Sequence, residues 1–272
     1  MENTKNTITD PTDAKAYVNK GNKSYNQGNY QAAISDYDEA IRLNPEFATT
    51  YYNRGLAKSE LGDFEAAISD YDEAIRLNPE FATAYTNRGA VKSELGDFEA
   101  AISDYDEAIR LDPNDAIAYN NRGNAKSDLG KYFDAISNYD QAIRLDPEYA
   151  TAYYNRGNAK SKLGHPEAAI HDYDEAIRIN PNDAIAYGNR GAAKGELGRY
   201  FEAISDCDQT IRLNPNDAIA YNNRGFAKSK LGHLKAAISD YDEAIRLDPE
   251  YATARTNREN AQKTLRESQT ET

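Results

Sequence analysis

Seven prolines, Pro45, Pro79, Pro113, Pro147, Pro181, Pro215 and Pro249, stand 34 residues apart. A chain with that period folds as a stack of one supersecondary unit, not around a single core. Counting Ala14 as position 1, the units run 14–47, 48–81, 82–115, 116–149, 150–183, 184–217 and 218–251, and a partial eighth begins at Ala252. In the second unit Ala48, Tyr51, Gly55, Lys58 and Leu61 recur at three- and four-residue spacing, the mark of one helical face. Phe64, Ala67, Ile68, Tyr71, Ala74, Ile75 and Leu77 do the same in its second half. The unit therefore reads as a helical hairpin, helix A then helix B. Gly62 and its equivalents Gly28, Gly96, Gly130, Gly164, Gly198 and Gly232 fall where helix A must stop, a place that favours positive φ. The proline at position 32 ends helix B. So short a hairpin cannot bury its own apolar face, and stacking on the next one makes the core.

Composition bounds the partners. A formal charge of −13 in 272 residues leaves little to neutralise phosphates, so neither DNA nor RNA is an expected partner. A basic or neutral polypeptide is easier to hold. The single cysteine, Cys207, sits in a slot that otherwise holds Tyr, and it reads as a core substitution, not a reactive thiol. No segment has the apolar run of a signal peptide or a membrane span, so the expected setting is cytoplasmic, without a membrane.

An aromatic at position 4, Gly at 8, Leu at 14, Gly at 15, an aromatic at 17, Ala at 20, Tyr at 24, Ala at 27 and Pro at 32 together resemble the tetratricopeptide-repeat family over about 250 residues. The resemblance implies an all-α fold, a right-handed α-solenoid (superhelix) of antiparallel helix pairs, with the A helices lining a concave groove. On this reading residues 1–13 are a disordered tail, 14–251 hold seven repeats, 252–266 form a capping helix and 267–272 a second tail. The cap is expected because Arg255 and Glu259 replace the aromatic and the Gly of positions 4 and 8, presenting charge where another repeat would dock.

The array departs from the family pattern in places. Pro166 and Leu234 replace the aromatic of position 17, and Thr210 replaces the small Ala of position 27. Position 7 is Lys20 and then Arg, and Arg54 with Lys58 is typical of a cationic pair four residues apart. Such pairs repel, so acids at positions 23 and 25, such as Asp70 and Asp72, are expected to neutralise them. Ser59 to Leu77 is identical to Ser93 to Leu111, and units 4 and 6 share Tyr-Phe pairs, Tyr132-Phe133 and Tyr200-Phe201. Copying of this kind suits a surface more than a catalyst.

No chemistry of bond-making emerges. The segment Gly123 to Ser127 resembles the end of a phosphate-binding loop but lies mid-helix and lacks Gly before its Lys. Asp70 to Glu73 resembles part of a calcium loop without the turn-making Gly. His165, His171 and His233 share no helical face. The chain is thus expected to be no enzyme and to need no metal or cofactor.

What recurs is asparagine. Position 6 is Asn in all eight units, including Asn53, Asn87, Asn121, Asn155, Asn189 and Asn223. In the family this position faces the groove, and a similar ladder lines the repeats of the enzyme that attaches N-acetylglucosamine to Ser and Thr of proteins. The resemblance implies amides that hold a peptide backbone, which an Asn can do because it both donates and accepts. The alternative is that these amides brace the hairpins. Tyr52 and Tyr154 at position 5, and Asn124 and Asn158 at position 9, complete the candidate peptide-binding set. The clamp by which chaperone adaptors grip an acidic C-terminus is absent, because position 5 is never basic and position 6 never Arg. The expected function is a protein-interaction scaffold for extended polypeptide segments. A self-assembling scaffold, or a regulatory subunit of an enzyme on another chain, is the alternative, and the oligomeric state stays open.

Overall fold

A computed structural model describes residues 11–270. Its helices are α1 (Pro11–Asn26), α2 (Tyr30–Leu43), α3 (Ala48–Glu60), α4 (Phe64–Leu77), α5 (Ala82–Glu94), α6 (Phe98–Leu111), α7 (Ala116–Asp128), α8 (Tyr132–Leu145), α9 (Ala150–Lys162), α10 (Pro166–Ile179), α11 (Ala184–Glu196), α12 (Tyr200–Leu213), α13 (Ala218–Lys230), α14 (Leu234–Leu247) and α15 (Ala252–Thr270). No strand occurs among the described residues. The chain divides into two compact units after Lys131. In the first, α1 pairs with α2, α3 with α4 and α5 with α6, and α7 stacks on α6. In the second, α8 stacks on α9, then α9/α10, α11/α12 and α13/α14 pair in turn, and α15 covers α14. Each unit is an all-α solenoid of antiparallel helix pairs. The expected tail boundaries shift: the first helix already begins at Pro11 and the last continues to Thr270, four residues beyond the expected 266. The rest of the expected tails, 1–10 and 271–272, lies outside the described residues.

Local chemistry explains the ends of the helices. Gly62 takes φ 76°, which lets its N–H reach the Ser59 carbonyl at 2.9 Å and the Asp63 N–H reach the Lys58 carbonyl at 2.9 Å. These bonds satisfy carbonyls that the end of α3 would otherwise leave unpaired. At the end of α4, Asn78 turns extended before Pro79, and its side chain accepts from the Glu80 N–H at 3.2 Å. Helix A then starts in one of two ways. Asp115 caps α7 by accepting from the N–H groups of Ile117 and Ala118 at 2.9 and 3.0 Å, Asp183 does likewise for α11, and Asp217 caps α13 by accepting from the Ala220 N–H at 2.9 Å. In front of α5 an aromatic stands there instead, and the Phe81 ring packs on Tyr52 with centroids 4.8 Å apart.

The core of each unit is built from tyrosines packed on small residues. Tyr37, Tyr71, Tyr105, Tyr139, Tyr173 and Tyr241 are fully buried, each among alanines such as Ala67, Ala101 and Ala237. A Cβ on Gly55 would sit 2.8 Å from Tyr71 Cε1, so position 8 has room only for Gly. Cys207 occupies the Tyr slot of the sixth unit and is itself buried, as expected.

The cationic pairs are neutralised as the sequence leads one to expect. Asp70 accepts from Arg54 Nε and Nη2 at 2.9 and 2.6 Å and pairs with Lys58 at 2.8 Å. The third nitrogen of Arg54 reaches back to Asp38 of the preceding hairpin at 2.5 Å. Asp72 likewise serves Arg88 of the following hairpin. The Arg54 guanidinium also lies 5.5 Å from the Tyr51 ring centroid. One planar cation thus ties two successive hairpins together, which Lys could not do with the same fork.

Candidate functional site

Positions 5, 9 and 13 of helix A are four residues apart and position 6 is three before position 9, so they share one face. The candidate asparagines on that face are half-buried and engaged with their neighbours. Asn53 donates to Asn22 Oδ1 at 3.0 Å, and Asn87 donates to the Tyr52 hydroxyl at 2.8 Å. Asn189 donates to both the Tyr154 hydroxyl at 3.1 Å and Asn158 Oδ1 at 3.0 Å. Asn121 and Asn223 accept from their neighbours Asn120 and Asn222 at 3.3 and 3.4 Å. Asn155 is half-buried in α9, and Asn124 lines a cavity on α7. The position-9 amides also receive the core tyrosines, Tyr37 donating to Asn22 and Tyr173 to Asn158, both at 2.8 Å.

The face is therefore a brace between repeats as well as a surface. Asn53, Asn87 and Asn189 spend amide N–H groups on the repeat before, while their Oδ1 atoms receive no donor among the described residues. The Tyr52 phenol is held above its ordinary pKa, chiefly by burial and in spite of hydrogen bonds with Thr83 and Asn87.

Between successive A helices the face opens into cavities. One of about 270 Å³ lies between α1 and α3, lined by Asn22, Tyr37 and Asn53. A second, of about 400 Å³, lies between α5 and α7, with Asn121 and Asn124 in its wall. A third, of about 340 Å³ between α9 and α11, holds Asn158 and Asn189. Each has the core Tyr of its repeat as floor. Sequence reasoning missed the position-13 residues at their rims, Glu94, Asp128, Lys162 and Glu196, although a spacing of four from position 9 puts them on the same face.

Other chemistry is sparse. Among the described residues no group of three His, Cys, Asp or Glu side chains could hold a metal ion, and no helix is long and apolar enough to cross a membrane. Burial pushes the Cys207 thiol up to about 12, far from a nucleophile's range. His165 and His233 stand at the starts of α10 and α14 and make no capping bond.

Family models described as TPR repeat match residues 21–62 and 123–164. Models described as tetratricopeptide repeat match 52–116, 104–137, 150–183, 172–205 and 218–251. The chain belongs to the tetratricopeptide-repeat family. Among solved structures it is similar to YrrB, a tetratricopeptide-repeat protein with an unusual peptide-binding site, at 28% identity over 70% of this chain and 97% of that one, with a TM-score of 0.61. MamA is 30% identical over 64% of this chain and 95% of its own, with a TM-score of 0.58. A tetratricopeptide-repeat protein from Parabacteroides merdae covers 92% of this chain and 99% of its own at 20% identity and a TM-score of 0.67, a likeness of fold alone. No curated protein matches the chain. Tetratricopeptide repeats of this kind make the chain a protein–protein interaction module.

Proposed function

We propose that this array binds extended polypeptide segments along the face of its A helices and acts as a scaffold, without catalysis. The observation that carries the reading is the recurrence of one amide-walled, tyrosine-floored cavity between successive A helices. A surface that repeats one polar motif at a fixed step suits a ligand that repeats one backbone at a fixed step. The peptide-binding site of YrrB, a similar protein, is consistent with this use of the fold. Seven repeats closed by α15 as a cap, a cytoplasmic setting and a protein or peptide partner complete the reading. The open Oδ1 atoms of Asn53, Asn87 and Asn189 would accept from peptide N–H groups. The test is the triple change of Asn121, Asn155 and Asn189 to Ala, measured against a peptide selected from an array. Loss of affinity by about tenfold, with the folded helical signal retained at the assay temperature, is expected. Unchanged affinity would remove the groove reading.

A second reading, self-association, draws on Phe133 and Phe201. Both occupy the first turn of a B helix at 73% and 74% exposure, large apolar surface that no described residue covers. A mass that rises with concentration in light scattering, and falls back in Phe133→Glu/Phe201→Glu, is the result that reading requires.

A further inference from the structure

The three groove cavities share a floor and differ in charge. The one between α9 and α11 has Lys162 and Glu196 at its rim, so its charges cancel. The one between α1 and α3 has the neutral Asn26 and Leu56 in its lining. Only the largest of the three, between α5 and α7, gathers two carboxylates and no base, Glu94 from one helix and Asp128 from the next. Neither forms an ion pair among the described residues, whereas nearby Lys92 is already held by Asp104 at 2.7 Å. Beneath the carboxylates lie Phe98 and Tyr105, and beside them the amides of Asn121 and Asn124. Both carboxylates are exposed at the rim, and partial desolvation on the cavity side holds the Asp128 carboxyl above its usual range.

We infer that the cavity between α5 and α7 is a side-chain pocket for arginine in the bound polypeptide, seated between Glu94 and Asp128 over the Phe98 and Tyr105 rings. The inference rests on the groove reading and names the residue class that the groove selects. A planar guanidinium suits the pocket better than an ammonium does. Its face can lie on an aromatic ring while its edges donate to two carboxylates approaching from different helices. At about 400 Å³ the cavity is also large enough for one long side chain. An acidic peptide side chain would meet two like charges and be rejected, which gives the groove selectivity that its amides alone lack.

The experiment uses the full chain and two capped, fluorescein-labelled twelve-residue Ser/Ala/Thr peptides, one with a central arginine and one with citrulline, the neutral isostere. Anisotropy at physiological salt is expected to show the arginine peptide binding at least about tenfold tighter, in line with charge-assisted hydrogen bonds. Glu94→Gln/Asp128→Asn should erase that preference by weakening the arginine peptide, with the thermal melt unchanged. Equal binding of both peptides would overturn the pocket and leave the groove reading standing. Failure of both peptides to bind up to millimolar concentration would overturn both. A preference that survives the double change would also overturn the pocket, because the arginine would then be read elsewhere.

Discussion

The sixth repeat should open before any other, and its buried cysteine can report the event. Three substitutions coincide there. Cys207 stands where the other repeats bury a tyrosine ring, and Gly188 and Gly195 stand inside α11 where other repeats have longer side chains. Loss of most of an aromatic ring from a packed interface costs about 2–3 kcal/mol, somewhat less than a full aromatic-to-Ala truncation. Each interior Gly adds roughly 0.5–1 kcal/mol through backbone entropy. The deficit is then about 3–5 kcal/mol, which in a nearest-neighbour array shows as local opening. The structure has room for repair. A Cβ at Gly195 meets nothing within 4 Å, and one at Gly188 meets Thr210 Oγ1 at an ordinary 3.6 Å. Since the thiol is 1% exposed and its pKa is pushed to about 12, thiol reagents label Cys207 only from an opened state. Gly188→Asn/Gly195→Ser keeps the probe and should slow labelling by about 5–30-fold, the factor that 1–2 kcal/mol gives. Adding Cys207→Tyr should raise the melting temperature, because the two introduced hydroxyls would repeat the contact that Ser93 makes with the Tyr105 hydroxyl at 3.5 Å in the third repeat. Hydrogen exchange over 184–214 should likewise exceed that over 82–115. Unchanged labelling in the double variant, or equal exchange in the two repeats, would show that neighbouring repeats supply the missing stability.

Other outcomes follow from single sites. Thr50 is completely buried, its hydroxyl has no partner among the described residues, and the equivalent positions hold Ala84, Ala118 and Ala152. Thr50→Ala should therefore stabilise by about 1 kcal/mol in urea unfolding, the relief of an unsatisfied hydroxyl outweighing a lost methyl; a lower midpoint would refute this. Burial pushes Tyr37, Tyr105 and Tyr241 up to about 12. Because the unfolded phenol titrates near 10, their contribution is full below about pH 10 and is lost as pH rises through about 12. Helicity and core-tyrosine ionisation should change together, and reversible titration of all 21 tyrosines near pH 10 with helix intact would contradict it. Duplex DNA and RNA should bind negligibly at physiological salt, given the charge of −13; a steeply salt-dependent micromolar affinity would count against that.

The hairpins were legible because their determinants are local. Pro79 after α4 and Gly62 after α3 act within a few residues of themselves, so a 34-residue ruler and the three-four spacing place the helices to within a few residues. The neutralisation of Arg54 was legible for a similar reason, since position 23 lies within the same hairpin. What escaped was the partner in each contact that crosses repeats: the position-25 acids were expected to neutralise cations, but not those of the next hairpin. Arg54 reaches Asp38 sixteen residues earlier, Asn53 reaches Asn22 thirty-one earlier, and Asn87 reaches Tyr52 thirty-five earlier. None of these separations is a helical period. Each is set by how one hairpin lies on the next.

The same limit bears on how the groove can work. A sequence in which position 6 of every repeat is Asn invites the picture of amides that both donate to and accept from a peptide. In the folded chain Asn53 and Asn87 each give one amide N–H bond to the preceding repeat and Asn189 gives two, so a bound strand would find more acceptors there than donors. In an extended strand successive residues turn their N–H groups to opposite sides. A ladder richer in acceptors than in donors would then engage alternate residues and leave most peptide carbonyls to water. Recognition of that kind is weak and indifferent to sequence, and any selectivity has to come from the side chains that drop between the A helices. Replacing one ladder Asn should therefore disturb stability and binding together, whereas changing a rim residue such as Glu94 should alter which peptide binds and leave the fold as it was.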